Sequence, residues 1–157
     1  MDINADDLVD RVNCYRMGAW FEAFLGWAGA DWPEAADADG IWRLAAARRD
    51  LELWLVRERG FAAGDADGWR LDRLFFGSRA SLPRGLAVAG ETPERARDKL
   101  SADTVSGPAV EPGQGGRRIS HFLADGLVIE LTFGPHDQGL SRILVARLGA
   151  PIDRRGG

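Results

Sequence analysis

Residues 120–148 constrain the fold more than any other stretch, because they alternate like three consecutive antiparallel strands separated by two turns. Asp125-Gly126 can supply the positive φ angles of a tight hairpin, and the segment 134–139 marks the second turn. The middle strand places Leu127, Ile129, Leu131 and Phe133 on one face. Val128, Glu130 and Thr132 share the other face. This period of two is typical of a half-buried strand, so one face needs a core and the other can meet water or a partner.

The composition is that of an ordinary globular protein. Hydrophobic residues make up 45% and charged residues 28% of 157 residues, which is enough chain for one domain or two small, closely joined ones. The net charge of -4 argues against a general nucleic-acid binder, which needs a dense basic surface. The acidic start lacks a secretory signal, and no apolar run is long enough to span a membrane. We therefore expect a cytoplasmic protein without a nucleic-acid or membrane partner.

The two halves of the chain predict the same series of elements, a helical region followed by three strands. In the first half, Asn4 or Asp6 can cap a helix, residues 19–27 predict a second helix, and strands are expected at 41–46, 51–57 and 69–76. In the second half, Thr92 and Pro93 form a strong helix start before Leu100, and residues 106–118 predict a loop. Residues 86–89 fit a short strand or an extended lead-in.

An internal repeat relates these two series. Leu51, Leu53 and Leu55 fall on Leu127, Ile129 and Leu131 at an offset of 76, and residues 71–76 fall on 140–145 at an offset of 69. A chance match of amphipathic patterns is the alternative. The repeat predicts an α+β fold with one helix-plus-antiparallel-sheet unit in residues 1–80 and a second in 81–157. The helices would cover one face of the sheet and leave the other face open.

The open face is where we expect a partner to bind, because it combines aromatic and charged side chains. Parity places Glu52, Trp54, Val56, Val128, Glu130 and Thr132 on it. The predicted partner-binding residues are Trp54, Glu130, Glu52, Phe122, Trp32, Trp69, Asp37, Asp39, Asp65 and Asp67. The four aspartates lie in acidic loops that either stay solvated or steer a basic partner. Trp54 has a second interpretation, in which it packs against a loop or against the other half.

No group of residues predicts catalysis, a cofactor or a metal site. His136 lies in the turn at 134–139, and His121 lies in a strand where it could face Glu130, but neither histidine has a nucleophile and an orienting group beside it. Cys14 is the only cysteine and reads as a small buried residue, with a histidine–cysteine pair as the remote alternative. The glycine-rich segment 112–116 lacks the lysine and hydroxyl residue of a phosphate-binding loop. We therefore expect no enzyme activity.

Three short motifs resemble a widespread bacterial module. They are Leu82-Pro83-Arg84-Gly85-Leu86, then Gly90 to Ala96 with Leu100, and then the hairpin of Asp125-Gly126-Leu127 with Phe133. The pattern is similar to β-lactamase inhibitor protein-like domains, to small outer-membrane assembly lipoproteins and to immunity proteins paired with polymorphic bacterial toxins. The chain departs from the lipoproteins by lacking a signal and a lipidation cysteine, and from the helix consensus by having Ser101 where a glycine is usual.

This resemblance implies a protein that occludes another protein and has no chemistry of its own. The function expected from it is a cytoplasmic immunity or inhibitor protein that neutralises a cognate toxin or enzyme. The alternative is a small-ligand-binding or regulatory domain with a pocket between the two repeats.

Overall fold

The structure of the chain is a computed structural model, and it describes residues 3–12, 20–30, 40–57, 60, 68–106, 116–124 and 126–147. Its helices are α1 (Ala5–Val12), α2 (Trp20–Ala28) and α3 (Pro93–Leu100). Its strands are β1 (Ile41–Ala46), β2 (Leu51–Arg57), β3 (Trp69–Phe76), β4 (Asp103–Ser106), β5 (Arg118–Phe122), β6 (Leu127–Phe133) and β7 (Leu140–Arg147).

The strands form one antiparallel sheet in the order β1-β2-β3-β7-β6-β5-β4. Strands β1 to β3 make one meander and β4 to β7 make another, and each strand pairs with its neighbour in sequence. The two meanders meet at a single strand pair, where residues 73–76 of β3 face residues 143–146 of β7. The predicted α+β class with an antiparallel sheet is therefore confirmed.

The core lies on one side of this sheet. The side chains of β2 and β6 alternate between buried and half-buried, as predicted, and Leu53, Leu55, Ile129 and Leu131 are 0% exposed. These residues belong to one apolar cluster with residues of all three helices, such as Leu8, Phe24 and Leu100. The described helices therefore lie on the side of the sheet that carries these leucines and isoleucines.

The helix ends follow their local sequence. Asn4 Oδ1 accepts a hydrogen bond from Asp7 N at 2.9 Å and Asp7 Oδ2 accepts one from Asn4 N at 3.0 Å, which is a reciprocal cap for α1. Thr92 Oγ1 accepts a hydrogen bond from Arg95 N at 3.3 Å, and Pro93 occupies the first turn of α3, so the predicted start of this helix is confirmed. Ser101 ends α3 in the left-handed region, with φ 47° and ψ 48°.

Strand β4 and the register of β3 differ from the expectations, whereas residues 86–89 agree with one of the two predicted alternatives. Strand β4 was not predicted, and it pairs with β5 over residues 103–106. Residues 86–89 do not form a strand, but Val88 O accepts a hydrogen bond from Leu140 N at 2.9 Å, which agrees with an extended lead-in. The β2–β3 register also skips Asp72, so the alternation of β3 changes phase at this bulge.

Candidate protein-binding face

The side of the sheet opposite the helices is the candidate functional surface, and we call it the open face. Cross-strand register assigns to it Ile41, Arg43, Ala45, Glu52, Trp54, Val56, Arg70, Arg73, Phe75, Asp103, Arg118, Ser120, Phe122, Val128, Glu130, Thr132, Arg142, Leu144 and Ala146. Most of these side chains are half-buried by one another or exposed. No helix of the described residues packs over them.

Trp54 is the centre of the open face. Its Nε1 donates a hydrogen bond to Glu52 Oε1 at 3.1 Å, and its ring centroid lies 5.3 Å from that of Phe75. The guanidinium groups of Arg43 and Arg73 lie 4.6 Å and 5.2 Å from the Trp54 centroid, within the range of a cation–π contact. The indole is thus held by four neighbours and presents a partly exposed ring in a fixed orientation.

Phe75 gives the open face an apolar centre of its own. It is 9% exposed, yet it does not belong to the cluster on the helix side of the sheet. Its ring is covered by Trp54 and by Arg142, whose guanidinium lies 4.6 Å from the Phe75 centroid. Phe75 is not among the residues predicted for the binding surface, and the register beyond the bulge at Asp72 places it on the open face.

The second meander contributes a paired charge and apolar residues. Glu130 Oε1 lies 4.0 Å from Arg118 Nη1, and both side chains keep about a third or more of their surface exposed, at 31% and 43%. Such a pair contributes about 0–1 kcal/mol, so it shapes the surface more than it stabilises the fold. Phe122 and Val128 face each other across β5 and β6 on the same side. Together they extend the apolar area away from Trp54.

The sequence-predicted residues separate into three groups. Trp54, Glu52 and Glu130 lie on the open face, as expected from parity, and Phe122 lies on it as well. Trp69 does not lie on the open face. It is 1% exposed, and its ring centroid lies 5.9 Å from that of Trp42, so its predicted place on the binding surface is wrong. Trp32, Asp37, Asp39, Asp65 and Asp67 lie outside the described residues, and so do Cys14 and the glycine-rich segment 112–115.

The charge of the open face differs from that of the whole chain. The face as defined carries five arginines and three carboxylates, whereas the chain has a net charge of -4. Asp72, at the bulge beside this surface, binds Arg70 and Arg73 at 3.3 Å each. The described part of this surface is therefore rich in guanidinium groups placed over aromatic rings.

A shallow groove of about 480 Å³ adjoins the open face where the two meanders meet. Its walls come from both halves of the chain, with Glu52 and Phe75 on one side and Ser141 and Arg142 on the other. A second cavity, of about 410 Å³, lies on the helix side, and its walls run from Ile3 to Leu82.

The histidines do not form a catalytic group in the described residues. His121 is 0% exposed and faces the helix side, opposite Ile129, whereas Glu130 faces the other side, so the expected contact between His121 and Glu130 is wrong. His121 Nδ1 lies 3.2 Å from Ile129 O, and burial lowers the pKa of His121 below its ordinary value. His136 is exposed in the short helical turn Pro135–Asp137. In the described ranges no three histidine, cysteine or carboxylate side chains cluster as metal ligands would.

No helix of the described residues has the length and apolar character needed to cross a bilayer.

Similarity to known proteins defines no family for this chain. No protein-family model matches the sequence, and no curated protein matches it either. Among solved structures, the fold is similar to the crystal structure of a DUF4309 family protein (YjgB) from Bacillus subtilis subsp. subtilis str. 168, with a TM-score of 0.43 and 9% identity over 92% of this chain and 98% of that chain. A match at this level assigns neither family nor function.

Proposed function

We propose that this chain is an immunity or inhibitor-type protein that binds a cognate toxin or enzyme with its open face and neutralises it by occlusion. The observation that carries the proposal is the cluster of Trp54 and Phe75 framed by Arg43, Arg73 and Arg142 on a side of the sheet that no described helix covers. Tryptophan and arginine are the residues that most often dominate the free energy of protein–protein binding.

The rigidity of this cluster favours binding of a preformed partner surface. Trp54 is fixed by a hydrogen bond to Glu52 and by ring contacts, so little side-chain entropy is lost when a partner covers it. Most members sit on the central strands β2, β3 and β7, which are paired on both sides. A binding surface of this kind needs no large change of shape on association.

The charges of the open face indicate the chemistry of the partner. Guanidinium groups pair with carboxylates in a planar, bidentate geometry, so the partner surface should carry aspartate or glutamate side chains opposite Arg73 and Arg142. The acidic loops were expected either to stay solvated or to steer a basic partner. The contact made by the open face and the steering by the loops are separable, because salt weakens long-range steering more than a buried contact.

The experiment is a binding and neutralisation assay with the toxin or enzyme encoded beside this chain. Replacing Trp54 and Glu130 together with alanine should weaken the complex at least about thirtyfold, since one hot-spot residue contributes about 2 kcal/mol or more. Arg142→Glu tests the same face with an exposed residue whose loss leaves the core unchanged. Glu94→Ala with Arg97→Ala, on the exposed side of α3, is the matched control. Unchanged affinity in both open-face variants would reject the proposal.

We also propose that the two meanders are copies of one helix-plus-sheet unit, in residues 1–80 and 81–157. Three features support this interpretation. Strands β2 and β6 are each the middle strand of three consecutive strands, and they bury alternate residues in the same phase. The pairing of β2 with β3 and the pairing of β6 with β7 each contain one bulge. Leu51 pairs with Phe76, and its counterpart Leu127 pairs with Arg147. The last strands of the two units are therefore related by an offset of 71 residues, which differs by two from the offset of 69 read from the sequence.

A small-ligand or regulatory function is the second candidate, favoured by the groove between the meanders. A thermal-shift panel of metabolites tests it, with Ser141→Trp as the variant that fills the groove. A metabolite that raises the melting temperature of the wild type, but not of Ser141→Trp, would support this function over the inhibitor function. A panel without any such compound would leave no support for it.

A further inference from the structure

The cavity on the helix side lies in the first half of the chain, and it shares Leu51, Phe76 and Arg79 with the groove that adjoins the open face. It has a volume of about 410 Å³, which is within the range of pockets that bind small molecules. Four segments meet around it: the start of α1, the end of α2, residues 48–51 at the β1–β2 connection, and residues 76–82 at the end of β3 and after it. None of its lining residues belongs to the open face.

One part of the wall of this cavity is apolar, and polar groups line the rest of it. Leu8, Leu51 and Phe76 are 1%, 5% and 2% exposed and also belong to the main core. Trp27 and Leu82 are half-buried beside them. A polar group placed against this wall would lose its hydrogen bonds to water without replacement, so the wall selects an apolar body.

The mouth of the cavity carries guanidinium groups. Arg49 stacks on Trp27 at 4.4 Å from the ring centroid and donates to Trp27 O at 3.4 Å, which fixes its position at the rim. Arg79 lies 3.8 Å from Asp50. Arg48 is exposed and makes no ion pair with any residue that the structure describes. Two of the three arginines therefore carry charge that no carboxylate within the described residues offsets.

One carboxylate, Asp6, lies in the wall, and it is already engaged. Its Oδ1 accepts a hydrogen bond from Arg84 N at 2.9 Å and lies 3.8 Å from Arg84 Nε. Arg84 also lies 3.7 Å from Asp10, so these three residues form a network beside the cavity. The charge presented at the mouth is consequently positive.

We propose that this cavity binds a small amphiphilic anion, with its carboxylate at Arg48 and Arg49 and its apolar body against Trp27, Leu8 and Phe76. A carboxylate matches the planar donor arrangement of a guanidinium group, and a short alkyl or aryl body matches the apolar wall. The site is independent of the open face, so it is compatible with an inhibitor function and does not require one.

The test uses isothermal titration calorimetry with decanoate, 1-decanol and decylammonium, each below the concentration at which it aggregates. These probes share one apolar chain and differ in the charge of the head group. We expect decanoate to bind at least about tenfold more tightly than 1-decanol, and decylammonium not to bind. Equal binding of decanoate and 1-decanol, or no binding of decanoate, would overturn the proposal.

Two variants and one control variant locate the site. Arg48→Gln with Arg49→Gln should weaken decanoate binding at least about tenfold and leave 1-decanol binding unchanged. Arg95→Gln with Arg97→Gln removes the same charge from the exposed side of α3 and should leave both unchanged. Ala80→Phe, in the cavity wall, should abolish binding of both probes. Melting temperatures near that of the wild type show that each variant is folded. If the variant with Arg48→Gln and Arg49→Gln binds decanoate as tightly as the wild type, the assignment of the site is wrong.

An anionic lipid headgroup could supply the same chemistry as a free carboxylate. Cosedimentation with phosphatidylglycerol vesicles distinguishes the two sources. We expect no cosedimentation. The small-molecule assignment would be overturned if the wild type binds the vesicles but not decanoate, and if the variant with Arg48→Gln and Arg49→Gln does not bind the vesicles.

Discussion

Lys99 Nζ lies 2.7 Å from Glu91 Oε2, and the Glu91 side chain has 0% of its surface exposed while Lys99 has 33%. The same oxygen accepts a hydrogen bond from Ala87 N at 2.8 Å. The backbone carbonyl of Glu91 accepts one from Gly139 N at 2.8 Å. The only lysine in the sequence thus neutralises a buried carboxylate that joins α3 to the chain segment before it, and the backbone of the same glutamate binds the turn before β7.

Replacing Lys99 with methionine should destabilise the protein by about 2–4 kcal/mol, because it leaves Glu91 buried without a counter-ion. Equilibrium urea unfolding measures this change. Arg97→Met, an exposed residue of the same helix, is the control and should change the free energy of unfolding by less than about 0.5 kcal/mol. The double variant Glu91→Gln with Lys99→Met should be more stable than Lys99→Met alone, and the opposite order would contradict this account.

Replacing Ser101 with glycine should stabilise the protein by about 0.5–1 kcal/mol. Ser101 ends α3 at a positive φ of 47°, where a residue with a Cβ is strained and glycine is not. The hydrogen bond from Ser101 Oγ to Asp98 O, at 3.2 Å, is lost and offsets part of the gain. Thermal unfolding of Ser101→Gly and Ser101→Ala compares the two effects, since alanine loses the hydrogen bond and keeps the strain. A glycine variant less stable than the alanine variant would disprove the role of strain.

Replacing Trp54 with alanine should cost about 1–3 kcal/mol, which is less than for a fully buried tryptophan because Trp54 is only half-buried. The physical reason is that Phe75 loses its cover and Arg43 and Arg73 lose a cation–π contact. Trp54→Phe retains a ring over Phe75 and should cost less. Urea unfolding measures both, and an alanine variant as stable as the wild type would mean that Trp54 does not pack on Phe75.

Stability should fall as the pH drops below about 6.5, through His121. Desolvation by burial is the main reason that the pKa of His121 is lowered in the folded protein, and the charge of Arg97 lowers it further. The unfolded chain then binds the proton more readily, so the stabilisation is complete above the unfolded pKa of about 6.5 and is lost as the pH falls toward the lowered pKa. The slope is up to about 1.4 kcal/mol per pH unit.

Urea unfolding at pH 7.5, 6.5 and 5.5 checks this dependence on His121. His121→Leu should lose it, whereas His136→Asn, in an exposed turn, should keep it. Asp137 does not interfere in this range, because the Arg117 side chain lowers the pKa of its carboxyl below the ordinary value of 3.8. An acid sensitivity that persists in His121→Leu would assign the effect to another group.

The parts of the fold that alternation encodes were predictable from sequence. Strands β1, β2 and β3 begin and end at the predicted residues, and Thr92 with Pro93 starts α3, because each of these signals is local. Strand β4 was missed since its four residues, Asp103 to Ser106, are too few to show a period and they follow directly on a helix.

The errors at the candidate site come from side-chain direction. Trp69 and Leu71 face the core before the bulge at Asp72, and Leu74 and Phe76 face it afterwards, so a strict period of two cannot hold along β3. Phe75 was not predicted for the site, and the register beyond this bulge places it on the open face. The register of the β5–β6 hairpin places His121 opposite Ile129, and the turn between these neighbouring strands determines that register.

The pairing of β3 with β7 has a kinetic consequence. Every other strand pair joins neighbours in sequence, so each meander can form by short hairpin closures. Strands β3 and β7 instead meet only after the chain between Phe76 and Leu140 has been brought into a loop, which costs conformational entropy before any contact compensates for it. We therefore expect closure of that junction to limit the folding rate, with substitutions there slowing refolding more than they accelerate unfolding.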